Sequence, residues 1–404
     1  MTSVHVRRAS RVRHRSPARA VVVRGIASIA GVVAASVCTA PMAVAQSTTT
    51  SSSSSVAAPA ALPTVLVIAT GGTIAGTQDR PGTTASYRAG QLTAAQLLAS
   101  VPFLDRIARL EAEQFSNVPS TFIGPVEWLA LAKRVNTVLR ERPDIAGIVV
   151  THGTSRLEET AFFLHCTVRS DRPVVLVGAQ RPATGLSADG PVNLLGAIRT
   201  AASPAAVGKG VLVTLDDRLV AARDVRKQYA RVGGFGEGEM GILGTVTGEG
   251  PVFFYAPVRR FGRASEFDVA TLDSLPTVEL HMSYPGNAGP RVTLPLPAGI
   301  VVASTGFTRS ETDAFRALRE KGVLVATAFP SGDQVDRAAS REDTDLDTLR
   351  PPTTLLDSLR LLERRAPPTI GTQHLTPAKA RILLMLALTR TREPRGVQRI
   401  FAEY

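Results

Sequence analysis

Two stretches decide the fold of this chain: VLVIATGGTIAG at residues 65–76 and GIVVTHGTSRLEET at residues 147–160. Each is a run of β-branched and small apolar residues that ends at a glycine turn and places a threonine there, Thr73 in the first and Thr154 in the second. Such a run predicts a buried strand of a parallel sheet that enters a tight turn. Because α/β proteins bind ligands beyond the carboxyl ends of such strands, the two threonines predict one site built from two loops.

Outward from these stretches, strands and helices alternate along the chain. Strands are predicted at 65–69, 148–151, 174–177 and 211–215, and helices at 94–100, 126–140, 157–168 and 189–202. This alternation predicts an α/β domain with a doubly wound, mostly parallel sheet, which we place at residues 64–265. Between 224 and 267 the pattern changes to short β segments with many glycines.

A second, smaller α/β block begins near Pro276, after a predicted interdomain linker at 266–276. Its predicted strands are 278–282, 299–304 and 323–329, its predicted helices are 310–321 and 377–390, and a charged, proline-flanked insertion is predicted at 333–368. The first of these helices is expected to begin with Ser310 as its N-cap and to stop at Gly322. The second is apolar on several faces and is expected to be buried. The block is therefore predicted to be a parallel α/β domain over 277–404.

The positive charge of the chain is concentrated at the N-terminus. The formal net charge is +12, yet seven arginines and no acidic residue precede position 46. The remaining 39 basic and 34 acidic residues leave a net charge of +5, which is ordinary for a solvated surface. No run of basic residues with interleaved aromatics follows, so the charge does not indicate a nucleic-acid partner.

The first 45 residues have the order of parts found in an export signal. A basic region reaches Arg24, an apolar region follows at 25–40, and Ala-Val-Ala at 43–45 predicts cleavage before Gln46. A membrane anchor is the alternative, but about 16 apolar residues are short for a span of roughly 20. The Ser/Thr/Ala-rich stretch 46–63 predicts a flexible linker. We therefore expect a periplasmic or secreted protein with no membrane contact after cleavage.

The sequence lacks the motifs of several common catalytic classes. It contains no G-x-S-x-G, H-E-x-x-H or C-x-x-C pattern, and its first glycine turn lacks the lysine of a P-loop. The four histidines that follow the predicted signal are scattered, so neither a metal nor another cofactor is expected. Cys166 lies in an apolar run and is predicted to be a buried small side chain rather than a nucleophile.

Threonine, tyrosine, lysine and carboxylate side chains therefore remain as candidate catalytic groups. A threonine hydroxyl is a poor nucleophile unless a base or a strong hydrogen-bond acceptor is near. A lysine can act as that base when desolvation lowers its pKa, and a tyrosine can relay a proton. Backbone N–H groups in glycine turns can stabilise an oxyanion. These properties alone do not identify which residues act together.

Four segments together resemble the bacterial type II L-asparaginases, the exported asparaginase/glutaminase family. They are TGGTIAG, VVTHGT-x-x-LEETAFFL, GAQRPATGLSADGPVNLLGAI and LTPAKARILLMLALTRTREPRGVQRIFAEY, and the resemblance covers nearly all of 62–404. It implies amide hydrolysis in which a threonine attacks the side-chain amide, ammonia leaves, and water then attacks the acyl-enzyme. It also implies a homotetramer of two tight dimers, in which each site is completed by the partner's C-terminal domain.

The resemblance also implies roles for individual residues. Thr73 matches the nucleophile, and Tyr87, in SYRAG, matches a tyrosine on a mobile loop that covers the substrate. Thr154 matches the second catalytic threonine, and Lys227, in RDVRKQ, matches the lysine paired with it. Ser120 matches the serine that holds the substrate α-carboxylate. The positions expected to contact the substrate are Gly72, Ser120, Thr121, Gly153 and Ser155.

The chain departs from the family pattern where the substrate is anchored. Ser155 stands where the family has an aspartate that binds the substrate ammonium group, Arg156 where threonine is usual, and Thr121 where glutamine is common. Ser155 and Glu158 also match a helix capping box, so Ser155 is equally interpreted as a helix N-cap. Arg156 is interpreted as a surface arginine.

The C-terminal domain normally lends a glutamate to the site some seven residues past a Pro-x-Gly turn. In this chain that spacing after residues 330–332 falls on Ala339. The nearby acids leave the choice open; they are Asp333, Asp336 and Glu342.

These features together predict hydrolysis of L-asparagine to L-aspartate and ammonia, with L-glutamine as a side substrate. Two alternatives stay open. One keeps the chemistry but takes a small amide that lacks a free α-ammonium group. The other is a catalytically weak secreted solute-binding protein, although binding alone gives no reason to combine Thr73, Thr154 and Lys227.

Overall fold

The computed structural model describes residues 61–80, 86–291, 294–332 and 370–404. The predicted signal peptide, nearly all of the predicted linker and the predicted insertion at 333–368 lie outside these residues. The candidate acids of the C-terminal domain, Asp333, Asp336 and Glu342, also lie outside these residues. So does Ala339, the position at the family spacing. Over the described ranges, no helix is both long and apolar enough to cross a membrane.

Sixteen strands and seven α-helices occur in the described residues. The strands are β1 Thr64–Gly71, β2 Thr77–Gln78, β3 Tyr87–Arg88, β4 Arg109–Val118, β5 Ile145–Thr151, β6 Val174–Val177, β7 Val211–Leu215, β8 Arg218–Ala221, β9 Arg226–Lys227, β10 Phe235–Gly236, β11 Gly244–Thr247, β12 Gly250–Phe253, β13 Val278–Met282, β14 Gly299–Ala303, β15 Leu324–Ala328 and β16 Ile370–Gly371. The helices are α1 Ala94–Ala99, α2 Pro125–Glu141, α3 Leu157–Thr167, α4 Gly190–Ala202, α5 Arg309–Glu320, α6 Pro377–Ala387 and α7 Pro394–Glu403.

The larger sheet has eight strands in the order β12-β11-β8-β7-β6-β5-β1-β4. Strands β4, β1, β5, β6 and β7 run parallel, and the remaining three are antiparallel. Leu66 and Ile68 of β1 face the core formed with α2 and α3, whereas Val65 and Val67 face the core formed with α1 and α4. Because both faces are covered, every residue of β1 is buried. The predicted doubly wound, mostly parallel sheet is confirmed.

The order of the parallel strands locates the crevice of this sheet. Strand β4 lies on one side of β1, and the chain then crosses to the other side, where β5, β6 and β7 follow. The direction of winding therefore reverses between β1 and β5. Connections that leave in opposite directions open a crevice at the carboxyl ends of the two strands, which is where open α/β sheets bind ligands. The two glycine turns follow these two strands.

The smaller sheet has four parallel strands in the order β13-β14-β15-β16. Phe315 and Leu318 of α5 pack on one face, against Ile300 and Val302 of β14. Helix α6 covers the other face and also contacts α3, so the two sheets share one hydrophobic core. The predicted smaller parallel domain is thus confirmed. The linker predicted at 266–276 falls between β12 and β13.

Besides the short strands β2, β3, β8 and β16, two longer elements were not predicted from the sequence. Strand β4, RLEAEQFSNV, is an edge strand with few buried side chains, so it carries no apolar run. Helix α7 buries Val397, Ile400 and Phe401. Their three- and four-residue spacing is a helical signal in the sequence.

The predicted N-cap of α5 was wrong. Thr308, not Ser310, occupies that position, because its Oγ1 accepts a hydrogen bond from the Glu311 N–H at 3.1 Å. Glu311 Oε2 in turn accepts from the Thr308 N–H at 2.9 Å, which completes a capping box. Gly322 follows the helix with φ +82° and ends it as predicted.

Candidate active site

The first glycine turn delivers Thr73 at the carboxyl end of β1. Gly71 and Gly72 have φ values of +105° and +84°, conformations that favour glycine, and a 3-10 turn begins at Thr73. The Gly72 N–H donates to Val118 O at 3.1 Å, which ties the turn to the end of β4. Thr73 is 7% exposed. The nucleophile candidate is therefore held on a constrained turn, with a small part of its surface open.

The hairpin of β2 and β3 places Tyr87 over this turn. The Tyr87 hydroxyl lies 2.7 Å from Thr73 Oγ1, and either oxygen can be the donor. The Gly90 N–H donates to Gly72 O at 3.0 Å, which anchors the returning strand. At Gly76, a Cβ would lie 2.9 Å from Tyr87 Cδ2, so glycine there leaves room for the ring. Thr73 and Tyr87 therefore form a hydrogen-bonded pair.

The second glycine turn follows β5 and lies directly against the first. Thr70 Oγ1 donates to Thr151 O at 2.8 Å, which joins the ends of β1 and β5. A Cβ on Gly72 would lie 2.2 Å from the Gly153 Cα. The two backbones are thus in contact at the switch point of the sheet, and Thr73 and Thr154 stand on adjoining turns.

His152 shapes this second turn rather than acting as a base. It is fully buried, and its Nδ1 lies 2.8 Å from Gly153 O. Since a carbonyl oxygen can only accept, Nδ1 carries the hydrogen in this contact. Burial lowers the pKa of His152 to about 4, so the ring is neutral at pH 7.

Lys227 reaches the second turn from β9. Its Nζ donates to Thr154 Oγ1 at 2.7 Å. Its backbone N–H donates to Glu158 Oε2 at 2.7 Å, so the start of α3 holds the lysine backbone. Burial lowers the pKa of Lys227, while the charge of Glu158 opposes that shift. Thr154 thereby lies against an amine that desolvation makes easier to deprotonate.

The predicted substrate-binding residues differ in their surroundings. Ser120 is buried beside the second turn, and a Cβ on Gly153 would lie 2.8 Å from its Oγ. That Oγ accepts a hydrogen bond from the Arg156 N–H at 3.3 Å. Thr121 and Ser155 are exposed. Ser120 thus packs against the second turn, whereas Thr121 and Ser155 are exposed to solvent.

The capping box predicted at Ser155 was wrong. Helix α3 begins at Leu157, Arg156 occupies the N-cap position, and no side chain caps the helix. Glu158 cannot complete the box because its carboxylate holds the Lys227 N–H. The Arg156 guanidinium pairs with Glu159 at 2.6 Å and remains half exposed, as expected for a surface arginine.

Sequence reasoning overlooked Lys379, in helix α6. The side chain is 1% exposed, and its Nζ donates to Arg223 O at 2.7 Å and also to Val225 O. These carbonyls immediately precede Lys227 along the chain. A single lysine within the apolar segment LTPAKARILLMLAL was the signal that could have identified it.

Two other expectations concern cysteine and metal. Cys166 is buried, and burial raises the pKa of its thiol, so it is the inert small side chain that was predicted. Where the structure describes the chain, no three or more His, Cys, Asp or Glu side chains group closely enough to hold a metal ion.

The chain is similar in sequence and in structure to known proteins. The family model described as asparaginase, N-terminal, matches residues 64–259. The chain is 38% identical over 352 residues to L-asparaginase 2 of Bacillus subtilis (strain 168), which covers 85% of this chain and 87% of that one. It is 36% identical over 351 residues to a glutaminase-asparaginase of Pseudomonas fluorescens biotype A, with coverage of 85% and 91%. The crystal structure of a probable cytoplasmic L-asparaginase from Campylobacter jejuni superposes with a TM-score of 0.73 at 33% identity, covering 85% of this chain and all of that one.

Proposed function

This chain belongs to the asparaginase family of amidohydrolases, and we propose that Thr73 is the nucleophile with which it hydrolyses L-asparagine to L-aspartate and ammonia. One observation carries this proposal. Thr73 and Thr154 stand on adjoining turns at the switch point of the sheet, and each lies 2.7 Å from a side chain that can exchange protons, Tyr87 and Lys227 respectively. L-Glutamine, one methylene longer, is the proposed side substrate.

In the first half of the reaction, Thr73 Oγ1 attacks the carbonyl carbon of the side-chain amide. The C–O bond forms, the C–N bond breaks, and the product is an ester on Thr73. The hydroxyl proton of Thr73 must reach the departing nitrogen so that it leaves as ammonia. The Tyr87 hydroxyl, in contact with Thr73 Oγ1, is placed to pass that proton on.

In the second half, water attacks the same carbonyl carbon and releases L-aspartate and the Thr73 hydroxyl. Activation of the water requires a base, and Lys227 with its lowered pKa supplies one through Thr154. For this transfer the neutral Lys227 amine takes the Thr154 hydroxyl proton across their 2.7 Å contact, and Thr154 Oγ1 takes a proton from the water. The Thr73–Tyr87 pair thus serves the attack on the amide, and the Thr154–Lys227 pair serves the attack by water.

Substrate anchoring is the part of the site in which this chain differs from its family. Ser120, buried against the second turn, is the proposed partner of the substrate α-carboxylate. Ser155 offers a neutral, exposed hydroxyl to the α-ammonium group, so we propose weaker binding of asparagine than an aspartate at that position would give. The same observation favours a second candidate substrate class, small amides without a free α-ammonium group.

Ammonia release from a panel of amides tests the proposal. The purified protein is incubated with L-asparagine, L-glutamine, N-acetyl-L-asparagine and succinamic acid, of which the last two lack the α-ammonium group. Release from L-asparagine above the other three supports the leading assignment, and preference for the last two supports the second. Binding of L-asparagine without ammonia release from any compound would contradict both and return the protein to the solute-binding class.

Export and assembly are further proposals. We propose cleavage of residues 1–45 and a periplasmic or secreted location, on the basis of the basic, apolar and Ala-Val-Ala segments. We also propose the homotetramer that the family resemblance implies, with small-molecule substrates and no nucleic-acid partner. An intact mass of the exported protein that begins near Gln46 supports the first, and light scattering at the mass of four chains supports the second.

A further inference from the structure

Helix α6 of the smaller domain carries a buried cation that the reaction described above does not use. Lys379 is 1% exposed in a helix whose other buried positions are leucine, isoleucine, alanine and methionine. Burying an ammonium group is costly unless it is well hydrogen-bonded, and a methionine would fill the same space without that cost. We therefore expect the hydrogen bonds of Lys379 to be the reason that a lysine occupies this position.

Those contacts are backbone carbonyls of the segment that leads to Lys227. Lys379 Nζ donates to Arg223 O at 2.7 Å and to Val225 O. One residue separates Val225 from Lys227, whose own N–H donates to Glu158 of α3. The 223–227 segment is thus held by two side chains: the Lys379 amine binds its carbonyls, and the Glu158 carboxylate binds the N–H at its end.

Lys379 also lies close to the helix that follows Thr154. Its Nζ is 6.0 Å from the centroid of the Phe162 ring in α3, the helix that begins three residues after Thr154. Lys379 therefore contacts the segment that leads to Lys227 and also the helix that follows Thr154. A shift of the 223–227 segment would move Lys227 Nζ away from Thr154 Oγ1.

The charged groups that act on Lys379 lie in α3 and in the 223–227 segment. Glu158 of α3 and Asp224 favour its protonated form, whereas Arg223 and Arg226 disfavour it. Burial is the largest influence and lowers the pKa of Lys379 to about 8. In either protonation state the amine keeps at least two hydrogens, which is enough for the two carbonyls.

We propose that Lys379 is a positioning residue that holds the 223–227 segment so that Lys227 meets Thr154. The proposal rests on the proposed roles of Lys227 and Thr154. It assigns to the smaller domain a direct part in the geometry of the proton path, although Lys379 itself does not touch the substrate.

The test replaces Lys379 with methionine, which has similar length and no hydrogen-bond donor. In purified Lys379→Met we expect kcat for L-asparagine to fall about ten- to hundredfold because Lys227 loses its alignment. KM should stay within about twofold, since the residues that bind the substrate are not displaced. Lys379→Gln, which keeps an amide donor for one carbonyl, should recover part of the lost kcat. Added to Lys227→Met, the Lys379→Met change should cause no further loss.

Met385→Ala, later in the same buried helix, is the matched control. It removes packing and should lower the melting temperature while leaving kcat near that of the wild type. A kcat of Lys379→Met equal to that of Met385→Ala would contradict the proposal. So would failure of both Lys379→Met and Lys379→Gln to fold, which would make the lysine a structural residue. If Lys227→Met itself retains activity, the proposed catalytic pair is wrong, and this outcome is distinct from a failure of Lys379 alone.

Discussion

Ser155 stands where the family resemblance implies an aspartate, and the structure defines its surroundings. Its side chain is exposed beside the buried Thr154, and it does not cap α3. The nearby Arg156 guanidinium is paired with Glu159 and so does not point freely into the site. A neutral hydroxyl is therefore what this position offers to a substrate ammonium group.

Ser155→Asp should lower KM for L-asparagine roughly ten- to hundredfold. A carboxylate facing the ammonium group adds a charge-assisted hydrogen bond worth about 1.5–3 kcal/mol. The value of kcat should change little because Thr73 and Lys227 are untouched. Ser155→Asn, which has the shape of aspartate without its charge, is the matched control and should leave KM near the wild-type value. A higher KM in Ser155→Asp would show that the ammonium group is anchored elsewhere.

At the residue scale, the sequence predicted which residues are chemically suited to the site but not all of their contacts. The spacing of Ser155 and Glu158 matches a capping box, yet Glu158 binds the backbone of Lys227, 69 positions away. Local spacing cannot anticipate a partner that the fold brings in from another strand. Lys379 was overlooked for the same reason, because its partners lie in a segment more than 150 positions earlier.

At the element scale, the close approach of the two glycine turns determines the site. Gly72→Ala would place a methyl group 2.2 Å from the Gly153 Cα and would also strain a φ of +84°. We expect the turns to separate and kcat to fall about a hundredfold or more. Gly208→Ala is the control, since it has a similar φ of +72° but open space around it. It should cost about 1 kcal/mol in the free energy of unfolding and leave kcat unchanged. Equal kcat values for the two variants would contradict this account of the turns.

The elements that surround the turns were predictable to the extent that they are buried on both faces. The runs that became β1, β5, β6 and β7 are almost entirely apolar, which is the pattern of a central parallel strand. Strand β4 escaped prediction because an edge strand needs no such run. The boundary of α5 was misplaced because threonine and serine two positions apart are both good N-caps, and only the contact with Glu311 distinguishes them.

At the scale of the whole molecule, two buried histidines make the stability of the fold depend on pH. Burial lowers the pKa values of His152 and His165 to about 4, compared with about 6.5 in an unfolded chain. Between these values the unfolded chain binds more protons, so stability is complete above pH 6.5 and is lost as the pH falls towards 4. The loss is about 2 kcal/mol per histidine at pH 5.

Urea unfolding at pH 7 and pH 5 measures this dependence. His165→Asn keeps a planar polar side chain that does not titrate, and His165 lies at the end of α3 that is farther from the second turn. The variant should show a difference in free energy of unfolding between the two pH values that is smaller by about 2 kcal/mol than in the wild type. An unchanged difference would mean that His165 is not buried in its neutral form.

The central claim is that Thr73 performs the attack, and ammonia release by a folded Thr73→Ala protein tests it most directly. Thr77→Ala, in the adjoining strand β2, is the control for loss of a nearby threonine and should keep close to wild-type activity. If Thr73 is the nucleophile, the Thr73→Ala protein should keep the wild-type melting temperature and release ammonia from L-asparagine at least about a thousandfold more slowly. Near wild-type release by this variant would contradict the assignment.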